Sequence, residues 1–139
     1  MVCKSLGPLP ADGTVILYCS PTKFEKIEGK YVAPSIDAFR KDVDGISVTW
    51  VEFFRPPPPS IDQAKDAVGK NLKINRNAIF AVAKVHKILE LAKKEKIDVS
   101  VDHDPIEGNC GHSLIKGWPH DDAKREVLTL AFPPPSWSV

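Results

Sequence analysis

Residues 78–95 read AIFAVAKVHKILELAKKE, and the fold turns on whether this stretch is one element or two. Wound as a single helix, it sets Ile79, Val82, Val85, Ile88, Leu89 and Ala92 on one face and turns Lys84, Lys87 and Lys94 away. Lys93, Lys94 and Lys96 would then suit the negative C-terminal end. The competing reading makes Ala78–Ala83 (AIFAVA) a buried strand followed by a shorter helix, because an apolar run of that length has no decisive period. The shared apolar face favours the single helix, Ala78–Glu95.

Upstream, Thr14–Cys19 (TVILYC) is β-branched and aromatic, lies between Asp12-Gly13 and Ser20-Pro21, and predicts a buried, central strand. Ile36, Phe39 and Val43 recur at helical spacing after Pro34-Ser35 and predict a short helix. After the turn signal Asp44-Gly45, Ile46–Phe54 (ISVTWVEFF) predicts a second strand beside the first. Pro56 to Pro59 end it by removing four backbone donors. Ser60 and Gln63 have the spacing of a capping box, opening a helix whose buried stripe is Ile61, Ala64 and Val68.

Downstream of the deciding stretch, Ile97–Val101 (IDVSV) predicts a further strand running into a polar turn, Asp102 to Gly111. Pro119 and Asp121-Asp122 introduce a last helix, Ala123–Phe132, stopped by Pro133 to Pro135. The expected fold is therefore α/β or α+β. A single domain over residues 1–132 holds a small sheet with two or three packed helices, and 133–139 form a proline-rich C-terminal tail.

Composition bounds the function. A chain of 139 residues holds one comfortable core, and 42% apolar with 27% charged residues excludes a wholly disordered chain. A balance of 19 basic against 18 acidic residues favours neither nucleic acid nor an anionic membrane as partner. Neither GxxxxGK[ST] nor GxGxxG is present, so no phosphate-cradling loop is indicated and no cofactor is expected. Gly and Pro interrupt residues 1–13 before any signal or membrane-spanning run develops. Cys3, Cys19 and Cys110, odd in number and widely spaced, fit neither a disulfide framework nor a zinc module. They read as reduced thiols of a cytoplasmic protein.

The polar turn is where chemistry would be sought, because loops beyond strand ends commonly carry ligands on a fixed frame. His103, Asp104, Glu107, Cys110 and His112 are the candidate ligand-binding residues. His103, His112 and one of Asp102, Asp104, Glu107 or Cys110 would give a divalent ion enough donors, yet the spacing matches no metal motif and no metal is assigned. Cys110 or Ser113 as nucleophile with His103 or His112 as base is a second reading. The structural alternative is a turn built by Asp104-Pro105, Gly108 and Gly111, with the imidazoles bonded to backbone carbonyls. In the tail, Trp137 is a candidate partner contact if its ring does not fold back on the core.

From Trp50-Val51-Glu52-Phe53-Phe54 through DHDPIEGNCGHSLIKGWP (Asp102 to Pro119), the chain resembles small uncharacterised bacterial proteins. These share a Trp-containing strand, an apolar middle segment and a late H-x-P…H-x-x-I-x-G-x-P element. The resemblance implies no activity or catalytic residue. It places His103, Pro105, His112, Ile115, Gly117 and Pro119 in one shared turn element. The function expected is a small cytoplasmic binding or protein-interaction domain without catalysis, with a protein partner or as a homo-oligomer. The rival is a small hydrolase-like enzyme, with or without a metal, using the 102–112 turn. The two separate on whether His103 and His112 converge on one space.

Overall fold

The structure, a computed structural model, describes residues 3–20, 24–27, 30–34, 45–54, 61–133 and 137–138, with the backbone alone for 24–27, 30–33 and 137–138. In chain order the elements are β1 (Thr14–Cys19), β2 (Phe24–Ile27), β3 (Lys30–Pro34), β4 (Ile46–Trp50), α1 (Ile61–Gly69) and β5 (Ile79–Lys84). They continue with α2 (Val85–Lys94), β6 (Ser100–His103), β7 (His112–Lys116), α3 (Asp122–Thr129) and β8 (Trp137–Ser138). Six strands form one antiparallel sheet in the order β6-β7-β4-β1-β5-β8, and β2 with β3 makes a separate hairpin. The fold is α+β, and no helix among the described residues is long and apolar enough to cross a membrane.

Residues 78–95 are not one helix. β5 pairs with β1 along its whole length, from Thr14 opposite Lys84 to Cys19 opposite Ile79, and α2 begins at the next residue. As a strand, the stretch satisfies its backbone against β1 and buries Ile79, Ala81 and Ala83 on one face and Phe80 on the other. A helix there would strip β1 of that partner. The sharp strand-to-helix junction has no side-chain cap. Instead the N–H groups of Val85 and His86 donate to the carbonyls of Gly13 and Ala11, each at 2.9 Å. α2 ends through Lys96, whose φ of 58° takes the left-handed position usually given to glycine.

The register divides the side chains between two faces. Val15, Leu17, Ile46, Val48, Ala81, Ala83, Val101 and Ile115 share the face that packs on Val85, Ile88 and Ala92 of α2 and Leu128 of α3. On the other face Ile16 and Phe80 pack with Ala64 and Val68 of α1. Helices on both sides explain why β1 and β5 are apolar at nearly every position rather than alternating.

β1 forms over the predicted residues and lies inside the sheet with β4 as a neighbour. β4 stops at Trp50, where Val51–Phe53 wind into a single 3-10 turn, so the predicted strand to Phe54 is shorter. β6 is shifted to Ser100–His103, and β7, β2 and β3 have no counterpart in the sequence reading. α3 is capped by Asp121, whose side chain accepts from the Lys124 N–H at 3.0 Å. Part of the tail is a strand: Trp137 and Ser138 pair with Phe80 and Ile79. The helix expected around Ile36 to Val43, the Pro56–Pro59 segment and the Ser60 cap lie outside the described residues.

Cys19 sits fully buried between β1 and β5. Burial pushes its thiol up from 9.0 to about 12, with the Ala81 backbone pulling weakly the other way. The unfolded chain therefore loses this proton near 9.0 while the folded chain keeps it to about 12. Its contribution is complete below the first value and is lost as pH rises toward the second, at about 1.4 kcal/mol per pH unit. In urea denaturation the stability gap between the native chain and Cys19→Ala should narrow across that window; a constant gap would contradict this account.

Candidate functional site

The polar turn is the loop of a hairpin. β6 and β7 pair from Ser100 opposite Lys116 to His103 opposite Ser113, and Ile106 and Asn109 close the tip with reciprocal backbone bonds of 3.1 and 3.0 Å. Gly108 takes φ +86° there, as such a tight reversal requires. At the base, Gly111 admits no side chain: a Cβ would meet Phe54 at 2.5 Å and the Trp50 carbonyl at 3.1 Å.

Pairing of His103 with Ser113 places His103 on the α2 and α3 side of the sheet, whereas His112, one residue before Ser113, faces the α1 side. The two imidazoles do not converge. His103 is 3% exposed and lies beside the rings of Trp50 and Phe53, with centroids 5.5 and 5.2 Å away. Its Nδ1 accepts from the Leu6 N–H at 3.0 Å and its Nε2 meets the Cys110 carbonyl at 2.6 Å. A carbonyl can only accept, so Nε2 carries the proton and the neutral tautomer is fixed by the main chain on both sides.

The segment before β1 is fastened to the same strand. The N–H of Leu9 donates to the Val101 carbonyl (3.0 Å), the N–H of His103 to the Gly7 carbonyl (2.8 Å), and the Ser5 hydroxyl to the His103 carbonyl (2.9 Å). Cys3 then forms a disulfide with Cys110, their Cα atoms 5.6 Å apart. This corrects the reading of three reduced thiols: the odd count reflects one bonded pair and the single buried thiol of Cys19. Cys110 is accordingly no nucleophile in this form. The Ser113 hydroxyl is fully buried and donates to the Gly111 carbonyl at 3.2 Å.

His112 has a different setting. Its Nδ1 lies 2.7 Å from the Asp104 carbonyl, so that nitrogen carries the proton. The Asp104 carboxylate is a further 3.4 Å contact and is half exposed. The ring lines a cleft of about 220 Å³ on the α1 side, with Nε2 left without a partner among the described residues. Ile16, Val68, Leu72 and Ile106 supply the apolar walls. Thr49 and Asn109 line it too but are bonded to each other at 3.0 Å, and Asn109 also holds the Gly111 N–H at 3.0 Å. Glu107 is exposed at the tip, and its carbonyl accepts from the Asn71 amide at 3.1 Å.

Of the five turn residues singled out, Asp104 and His112 come together, Glu107 stands apart at the tip, and His103 and Cys110 are joined to each other and to residues 3–6. No group of three His, Cys, Asp or Glu side chains among the described residues is placed to hold a metal ion. Trp137 belongs to β8 by its backbone, and its ring lies outside the described residues. Sequence reasoning missed Thr49, Asn71 and Asn109; a threonine inside an apolar strand was the available signal. Comparison with protein-family models, curated proteins and solved structures finds no significant match.

Two expectations follow. His103→Leu leaves the Leu6 N–H and the Cys110 carbonyl without partners, so denaturant unfolding should show a loss of roughly 2–5 kcal/mol. A change under about 0.5 kcal/mol would mean that His103 does not bridge these segments. Closing a loop of sequence separation 107 restricts the unfolded chain, so Cys110→Ser should cost roughly 2–5 kcal/mol, with mass spectrometry checking for the bond in the parent chain.

Proposed function

We propose that this chain is a binding domain without catalytic activity and that the cleft beside His112 is its binding place. The observation that carries the reading is the division of the turn's polar groups between opposite sides of the sheet. A hydrolytic site needs nucleophile and base within reach of each other. Here Ser113 and His103 are engaged with main-chain atoms, Cys110 is bonded to Cys3, and His112 on the α1 side has Asp104 beside it but none of these nucleophiles. What is left is an apolar recess with an oriented imidazole, the composition usual for small-molecule sites.

The resemblance through His103, Pro105, His112, Ile115, Gly117 and Pro119 agrees with an architectural role for that element. Gly117 supports this, since its φ of +86° and the Asp98 carbonyl, against which a Cβ would collide, leave no room for another residue. The Cys3–Cys110 bond favours an oxidising compartment over the cytoplasm for the protein at work.

The test is NMR titration of the full chain with small aromatic probes of different charge, alongside a p-nitrophenyl ester assay. At least one probe should shift signals of Val68, Leu72, Ile106 and His112, and ester hydrolysis should be the same for the native chain and His112→Asn. Probes that leave the cleft untouched, or hydrolysis abolished by His112→Asn, would overturn the reading.

A further inference from the structure

Resting on that reading, we infer that the cleft takes an uncharged one- or two-ring aromatic molecule carrying a hydrogen-bond donor, of the phenol or indole class. Three observations set this chemistry. The volume of about 220 Å³ exceeds the roughly 150 Å³ that accommodates benzene and falls short of the roughly 300 Å³ at which drug-sized sites begin. The size therefore suits a free small molecule of one or two rings.

The lining sets the charge. Ile16, Val68, Leu72 and Ile106 face the space, and no Asp, Glu, Lys or Arg side chain lines it among the described residues. A carboxylate or ammonium group entering it would lose its hydration without an opposite charge in return. Tyr18 also borders the cleft, its hydroxyl accepting from the Asn75 N–H at 3.0 Å, and brings an aromatic side chain to the lining.

His112 sets the polar group. Because Nδ1 is committed as a donor to the Asp104 carbonyl, the neutral ring presents Nε2 as an acceptor. Thr49 Oγ1 accepts from the Asn109 amide, Asn109 Oδ1 accepts from the Gly111 N–H and the Asn71 amide donates to the Glu107 carbonyl, so each of these lining groups is already engaged with the protein. A ligand that donates one hydrogen bond and is otherwise apolar matches this recess, whereas one that brings only acceptors leaves Nε2 unsatisfied.

The experiment compares phenol, indole, toluene, benzoate, benzylammonium and N-acetyl-tyrosinamide on the full oxidised chain, reading His112 ring and Ile106 methyl shifts. Phenol and indole should bind about three- to tenfold more tightly than toluene, the worth of one net hydrogen bond. His112→Phe keeps a ring in place but removes the acceptor, and should bring that preference below about twofold. Equal binding of phenol and toluene, or tightest binding by benzoate or benzylammonium, overturns this ligand assignment while the binding function stands. N-acetyl-tyrosinamide binding about tenfold more tightly than phenol would make the ligand a peptide side chain and overturn it as well. Absence of every probe from the cleft removes the binding function itself. Should His112→Phe unfold, the phenol-to-toluene ratio in the native chain decides alone.

Discussion

The unbroken antiparallel pairing of β1 with β5 is the constraint from which the rest of the architecture follows. It fixes which side chains of each strand face α1 and which face α2 and α3, and a slip of one residue would exchange the two sets. The abrupt passage from Lys84 into α2 is tolerable because that pairing brings Ala11 and Gly13 beside the first helical N–H groups. From β1 the register passes through β4 to β7 and β6, so the sides on which His103 and His112 lie are set far from the turn that carries them.

His103 shows how a polar residue is accommodated in a core. A buried imidazole with an unmet nitrogen would be costly, but both nitrogens are matched to main-chain groups, and Trp50 and Phe53 pack beside the ring. The groups it joins belong to the segment before β1 and to the hairpin loop, the same two that the disulfide joins. The Gly7 to Leu9 stretch in turn lies along β6, whose outer backbone groups would otherwise form an open sheet edge.

What the sequence disclosed depended on how far neighbours could be inferred from local pattern. β1, the amphipathic body of α1 and the acidic start of α3 were legible because turn residues and period agreed there. The 78–95 stretch was misjudged because its side chains satisfy both periods; only the need of β1 for a partner decides, and that need is non-local. β7 was hidden because His112 and Ser113 open it with polar side chains while Leu114 and Ile115 break the alternation. In the turn the right residues were noticed, but not that one strand register would send the two imidazoles to opposite sides. Nor could the spacing of three cysteines reveal that Cys3 and Cys110 meet.

The bond between Cys3 and Cys110 makes a covalent ring of everything from the strap before β1 to the hairpin loop, with β7, α3 and β8 hanging outside it. A protease that nicks the backbone once inside the ring leaves both pieces attached, and they separate only when a thiol opens the sulfur bridge. A cut after Cys110 releases its fragment from covalent attachment at once. The molecule thus has two zones of unequal tolerance to damage, divided at the loop that borders the cleft.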